Sequence, residues 1–146
     1  MLISRYDFEV FADYHQFYIE DEDSPHETHL VWDPEQVAFG RMLGTGTGLV
    51  AVLTARSVEV PVSVEIHDGE PNLDLESPSR VVECSLDVRT GKLVVAGCTE
   101  YLPDAPRIGI PPGIYRVRVS YAGLETVEDE FEGDDSYLVQ FGRNPR

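Results

Sequence analysis

Carboxylates dominate the side chains of this sequence that could do chemistry. They are gathered in three runs: Glu20-Asp21-Glu22-Asp23, the stretch from Asp68 to Glu76, and the stretch from Glu125 to Asp135, which holds Glu128-Asp129-Glu130 and Asp134-Asp135. Calcium takes about six to eight oxygens from flexible carboxylates, so loops of this kind converging at one end of a β-sandwich can hold it, but none of the runs has the spacing of a dedicated calcium loop. Paired carboxylates also hydrolyse glycosides. With 27 Asp plus Glu in 146 residues, however, any one pairing carries no information. The third use is electrostatic. A formal net charge of −16, with 11 Lys plus Arg of which Lys92 is the single lysine, repels phosphates and anionic lipid and attracts a basic protein. Nucleic acid and membrane are therefore not expected partners, and the plain counter-reading is that surplus acid only keeps the chain in solution.

The remaining motifs argue against catalysis. His26-Glu27-Thr28-His29 brings two imidazoles close together, but on a loop and without the helical spacing or second ligand cluster that a zinc site needs, so no metal is expected. Gly44-Thr45-Gly46-Thr47-Gly48 precedes a strand and is followed by no lysine, which fits a turn and not a phosphate loop. No serine lies in a nucleophile elbow, and neither Cys84 nor Cys98 sits in a catalytic signature. The opening residues carry no export signal, so a cytoplasmic location and two free thiols are expected. No segment is apolar for long enough to span a membrane. Enzyme is the minority reading and no cofactor is expected.

The elements that must position these groups are strands. Tyr115, Val117, Val119 and Tyr121 alternate with Arg116, Arg118 and Ser120 after the stop Pro111-Pro112-Gly113, and Ser136 to Phe141 returns beside that strand. Val58, Val60, Val62, Val64 and Ile66 alternate as cleanly, with Pro61 pointing to a sheet edge or a bulge. Val81 to Val88 and Lys92 to Cys98 read as a hairpin closed at Thr90-Gly91, in which Leu86 and Val88 face Leu93 and Val95 and the two cysteines lie near each other across the strands. Leu2 to Phe11 and Tyr14 to Ile19 read as two strands, or as one broken by a bulge. Asp33 and Pro34 start a short helix after Trp32. The expectation is one domain over residues 1–146: an all-β, antiparallel two-sheet sandwich of about eight strands with one short helix.

Four features occur in an order that resembles the competence protein J family, also called nuclease inhibitor Nin. They are Tyr14-His15-Gln16-Phe17 before an apolar strand, Trp32 with Glu35 and Gly40 on a short helix, the strand pair from Leu49 to Ile66, and Pro112-Gly113-Ile114-Tyr115 opening a strand. The resemblance implies a small acidic cytosolic protein that binds and inhibits a DNA-entry nuclease. Charge agrees with it, because a nuclease holds DNA through cationic groups that an acidic surface can occupy. The expected function is thus partner binding, with a calcium- or carbohydrate-binding sandwich as the alternative. The candidate contact residues are Tyr14, His15, Glu20, Asp21, Glu22, Asp23, Trp32, Asp129, Glu130, Asp134 and Asp135.

Overall fold

The computed structural model describes residues 2–28, 31, 41–69, 80–129 and 131–143. Ten strands run through them: β1 (Leu2–Phe11), β2 (Gln16–Asp21), β3 (Leu43–Gly46), β4 (Leu49–Leu53), β5 (Glu59–His67), β6 (Arg80–Val88), β7 (Lys92–Gly97), β8 (Arg107–Gly109), β9 (Gly113–Ala122) and β10 (Ser136–Arg143). They form two five-stranded sheets, ordered β1-β5-β10-β9-β6 and β3-β4-β2-β7-β8. An all-β, two-sheet architecture is therefore observed. The strand count is higher than expected because β3 lies within the glycine stretch and three-residue β8 within the proline-rich connection from Tyr101 to Pro112. The helix expected after Trp32 falls outside the described residues.

The alternating strands bury the faces their patterns predict. Val60, Val62, Val64, Val117 and Val119 are fully buried and Leu86 nearly so, while Arg116 is exposed. They meet β2, β4 and β7 from the second sheet, which contribute Phe17, Ile19, Val50, Val52, Leu93 and Val95 to the same core. Rings lock edge to face through this core, Phe17 to Tyr137 at 5.9 Å and Tyr137 to Tyr121 at 5.7 Å, the offset arrangement that aromatic quadrupoles favour. The second sheet is also buried on its outer side, where Tyr18, Leu49 and Ala51 pack with Val31. That double burial is why these strands read as continuous apolar runs.

Two expectations about pairing are corrected. Not all neighbours are antiparallel: β10 pairs parallel with β5 and antiparallel with β9. Pro61 is tolerated in an interior strand because the β5–β10 pairing begins one residue later, at Val62. Next, β6 and β7 are not a hairpin, since β6 pairs with β9 in the first sheet and β7 with β2 and β8 in the second. Leu86 and Val88 share one core with Leu93 and Val95, but from opposite sheets. Cys84 and Cys98 consequently sit in different layers as free thiols, and burial pushes the Cys84 thiol up to about 11. Of the two readings of the N-terminal segment the two-strand one is observed: β1 and β2 are separate strands in separate sheets, joined by a corner at Ala12 to His15.

Candidate partner-binding surface

Strand directions divide the loops between two ends of the sandwich. At one end lie the corner 12–15, the 54–58 crossing, the 98–101 turn and the 123–135 excursion, because Phe11 pairs with Glu59, Ser136 with Ala122, Gln16 with Leu53 and Phe17 with Gly97. The opposite end holds residues 22–24, 47–48, 89–91 and 110–112, around the pairings of Asp21 with Leu93, Gly46 with Leu49 and Val88 with Gly113. The acidic runs at 20–23 and 125–135 thus lie at opposite ends. These two runs do not converge, and most of the third, Asp68 to Glu76, lies outside the described residues. Among the described residues no three His, Cys, Asp or Glu side chains are grouped to hold a metal.

The first end is tied together by a buried network. Asp135, fully buried, accepts from Arg56 Nε (2.5 Å) and from the Tyr137 hydroxyl (2.6 Å), and that hydroxyl in turn accepts from the Ala55 amide (2.8 Å). Burial and the neighbouring Asp135 carboxylate raise the Tyr137 pKa, which keeps the phenol a donor. The same crossing holds the corner, for Thr54 N donates to the His15 carbonyl and Tyr14 N donates to Ser57 Oγ. Tyr14 and His15 both have positive φ, 59° and 60°, a conformation costing L-residues about 1–2 kcal/mol each. The strain turns the chain from one sheet into the other and leaves the Tyr14 ring 67% exposed. Close approach fixes this corner as well, because a Cβ on Gly97 would lie 2.0 Å from the Phe11 carbonyl oxygen.

The candidate residues separate into two populations. Asp21, 2% exposed, was expected on an open acidic loop; instead its Oδ1 accepts from Arg89 N (3.0 Å), Thr90 N (3.0 Å) and Thr90 Oγ1 (2.9 Å), and Oδ2 from Asp23 N (3.1 Å). It caps the crossing from β6 to β7. Glu20 is buried with His26 Nδ1 at 2.7 Å; burial raises its pKa and the histidine opposes the shift. With Asp135, these are three structural carboxylates, not surface charges. Glu22 and Asp23 are exposed at the far end, Glu22 beside Arg107 Nε (3.1 Å). Tyr14, half-exposed His15, and exposed Asp129 and Asp134 share the first end. Asp129 Oδ1 accepts from Phe131 N and Glu132 N, forming a turn that presents the Phe131 ring, 83% exposed. Trp32 and Glu130 lie outside the described residues.

Sequence reasoning passed over Phe11, Tyr101 and Phe131. They are 48%, 69% and 83% exposed, and with Tyr14 they are the exposed aromatic side chains among the described residues; all four lie at this end. Around them are exposed Glu59, Glu100, Asp104, Glu125, Glu128, Glu132 and Asp134. A hollow of about 310 Å³ lies between Glu9, Phe11, Glu59, Thr99 and Glu100. A signal for Phe11 was present: Val10-Phe11 breaks the alternation of β1, putting an aromatic on the strand's charged face. Phe131 stands alone among acids, which is itself unusual.

Two solved structures share this arrangement of strands over almost the whole chain. One is ComJ from Bacillus subtilis, described as an inhibitor of the DNA-degrading activity of NucA, with a TM-score of 0.71 at 15% identity, covering 97% of this chain and 96% of that one. The chain has the fold of ComJ. The other, described as crocagin biosynthetic gene J, has a TM-score of 0.60 at 15% identity over 98% of this chain and 97% of that one. No protein-family model matches the sequence, and no curated protein is similar to it in sequence. ComJ is thus shared as a fold, and the contacts at the aromatic end have to be argued from this chain's own residues. No helix among the described residues is long and apolar enough to cross a membrane.

Proposed function

We propose that this protein is a binding module of the inhibitor class, which occupies the cationic surface of a basic partner, a DNA-degrading nuclease, in the cytoplasm and is not itself an enzyme. The observation that carries the reading is the gathering of the exposed aromatic rings Phe11, Tyr14, Tyr101 and Phe131 at the one end that also carries exposed Glu59, Glu100, Asp129, Glu132 and Asp134. Aromatic anchors supply contact area and most of the energy of protein interfaces, while surrounding charge steers the encounter and selects the partner's sign. The Asp135–Arg56–Tyr137 network and the strained corner hold these groups on a rigid base, which lowers the ordering cost of binding. The ComJ fold supports the reading, because the protein that shares it is described as a nuclease inhibitor.

The test uses the immobilised chain and a Tyr14→Ala/Phe131→Ala variant against lysate of the source cell, followed by a DNA-degradation assay on whatever the native chain retains. The expected result is a basic protein held by the native chain and lost by the variant, whose degradation of plasmid is suppressed by free native chain. Its association should slow as salt rises, since exposed charges are screened within about 10 Å at 0.1 M salt. Retention unaffected by both ring substitutions, or DNA degradation indifferent to the chain, rejects the proposal.

A further inference from the structure

Sheet edges are where this fold leaves backbone groups unused. The edge strands are β1 and β6 in the first sheet and β3 and β8 in the second. The second sheet's edges are short, with four residues in β3 and three in β8. The β6 edge is engaged by Arg41, whose Nη2 donates to the Glu83 carbonyl at 2.8 Å. Strand β1 differs. It has ten residues, and its pairing with β5 is regular from Ser4 opposite Ile66 to Phe11 opposite Glu59, with one irregularity between Leu2 and Ser4. No other described strand pairs with it. It carries charged side chains and one irregularity near its start but neither proline nor lysine, two of the devices that blunt natural edges, and because it pairs on one side only, every second residue turns its N–H and C=O away from β5.

The side chains along this edge define what fits it. Tyr6 and Phe8 point to the core but remain only half-buried, whereas Val62 and Val64 beside them in β5 are fully buried. On the other face are Asp7 and Glu9. Arg5, the cation of the strand, is committed to Glu65 Oε2 (2.8 Å) and Asp7 (3.2 Å). Glu9 borders two hollows, one of about 180 Å³ shared with Asp7 and Ser63 and one of about 310 Å³ shared with Glu59 and Glu100. A second copy of the chain would bring another −16 to the same edge.

We propose that the edge of β1 from Ser4 to Phe11 receives an extended segment of the basic partner as an added strand, in which Lys or Arg residues alternate with apolar ones. The inference deepens the reading above and rests on it only for the sign of the partner's charge. The added strand lies about 4.8 Å from β1; its cationic side chains flank Asp7 and Glu9 and enter the two hollows, and its apolar ones cover Tyr6 and Phe8. Backbone hydrogen bonds give the affinity and the side-chain alternation gives the specificity, the general scheme of strand addition.

The experiment titrates isotope-labelled full chain with a short, blocked peptide of alternating arginine and valine, followed by amide NMR and hydrogen exchange. Shifts and new protection at alternate residues between Ser4 and Phe11 are expected, with several-fold weaker binding by Glu9→Lys and no binding of the peptide in which glutamate replaces arginine. Perturbation elsewhere, binding blind to the peptide's charge, protection in the free chain of those β1 amides that face away from β5, or a dimer in sedimentation that Glu9→Lys alters would each overturn it. The two proposals fail separately: peptide capture by β1 without inhibition of any nuclease rejects the functional reading alone. Inhibition that neither Glu9→Lys nor excess peptide weakens rejects the edge alone.

Discussion

Asp21 and Asp23 are two residues apart in one acidic run, and the structure gives them opposite consequences. Replacing Asp21 by Ala removes the acceptor of the Arg89 and Thr90 amides, of the Thr90 hydroxyl and of the Asp23 amide. The hydroxyl sits on an exposed residue and can turn to water. The two amides of the crossing are part-buried, and a donor stranded in that way costs about 1–3 kcal/mol. Taking the lower part of that range for both gives a loss of about 3 kcal/mol, against a total stability of about 5–15 kcal/mol for a domain. At roughly 3–4 °C per kcal/mol for a chain of this size, the melting temperature falls by about 10 °C. Asp21→Asn keeps one oxygen acceptor but turns an amide toward the Asp23 N–H, so it should lose about half as much. Asp23→Asn, on an exposed side chain, should stay within about 0.5 kcal/mol. The assay is thermal unfolding by circular dichroism of the three variants, repeated in about 1 M salt, where exposed charges are screened within about 3 Å. A cap survives that screening and a surface charge effect does not. Melting of Asp21→Ala within a degree or two of the native chain, or an equal loss from Asp23→Asn, would refute the argument that this carboxylate holds the crossing.

Gly97→Ala should be among the most damaging single-methyl additions in the chain, because the new Cβ would lie 2.0 Å from the Phe11 carbonyl oxygen, and backbone cannot yield as a side-chain end can. The expected outcome is a melting temperature lower by about 3–12 °C, from about 1–3 kcal/mol lost to overpacking, and a parallel loss of any binding through Phe11 and Tyr14. An unchanged melt would show that the corner is looser than described. Thiol titration should return two reactive groups after denaturation and a slow Cys84 before it. A pKa pushed to about 11 leaves roughly a thousandth of that thiol ionised at pH 8, against about a quarter for an ordinary cysteine. Rapid native reaction of both sulfurs would contradict the burial of Cys84.

Which side chains enter the core was legible because alternation is a local property. Val60, Val62 and Val64 in β5 and Val117 and Val119 in β9 could face inward or outward only as a set, and the charged partners Arg116 and Glu59 decided which. Pairing is not local. A hairpin and a sandwich both bury Leu86, Val88, Leu93 and Val95 in one core, so the pattern that located them said nothing about which arrangement holds. The crossing is observed to be held by Asp21, nearly seventy positions away from Thr90 in sequence, and no spacing rule points to that contact. The same limit explains β1 and β2. A corner between sheets and a bulge within one strand both demand a short break such as Ala12-Asp13, and the positive φ angles of Tyr14 and His15 leave no mark in residue types that favour neither.

The candidate surface was legible to a lesser degree, and for a physical reason that concerns charge. A run of acids in a sequence mixes carboxylates that stabilise the fold with carboxylates that face solvent, since backbone amides at turns recruit Asp and Glu for the same reason a cationic partner does. In this chain Asp21 and Asp135, each beside an exposed acid, are consumed by local structure, whereas Glu9, Glu59 and Glu100, scattered singly through the sequence, come together around Phe11. Density of charge along the chain therefore does not single out the place where charge and exposed rings coincide: the 125–135 run shares that end, and the 20–23 run lies at the other. If binding requires both, substitutions there, at the Phe11 hollow and along β1, should weaken a partner more than neutralising the densest acidic run, and Glu22 and Asp23 at the far end serve as the internal control.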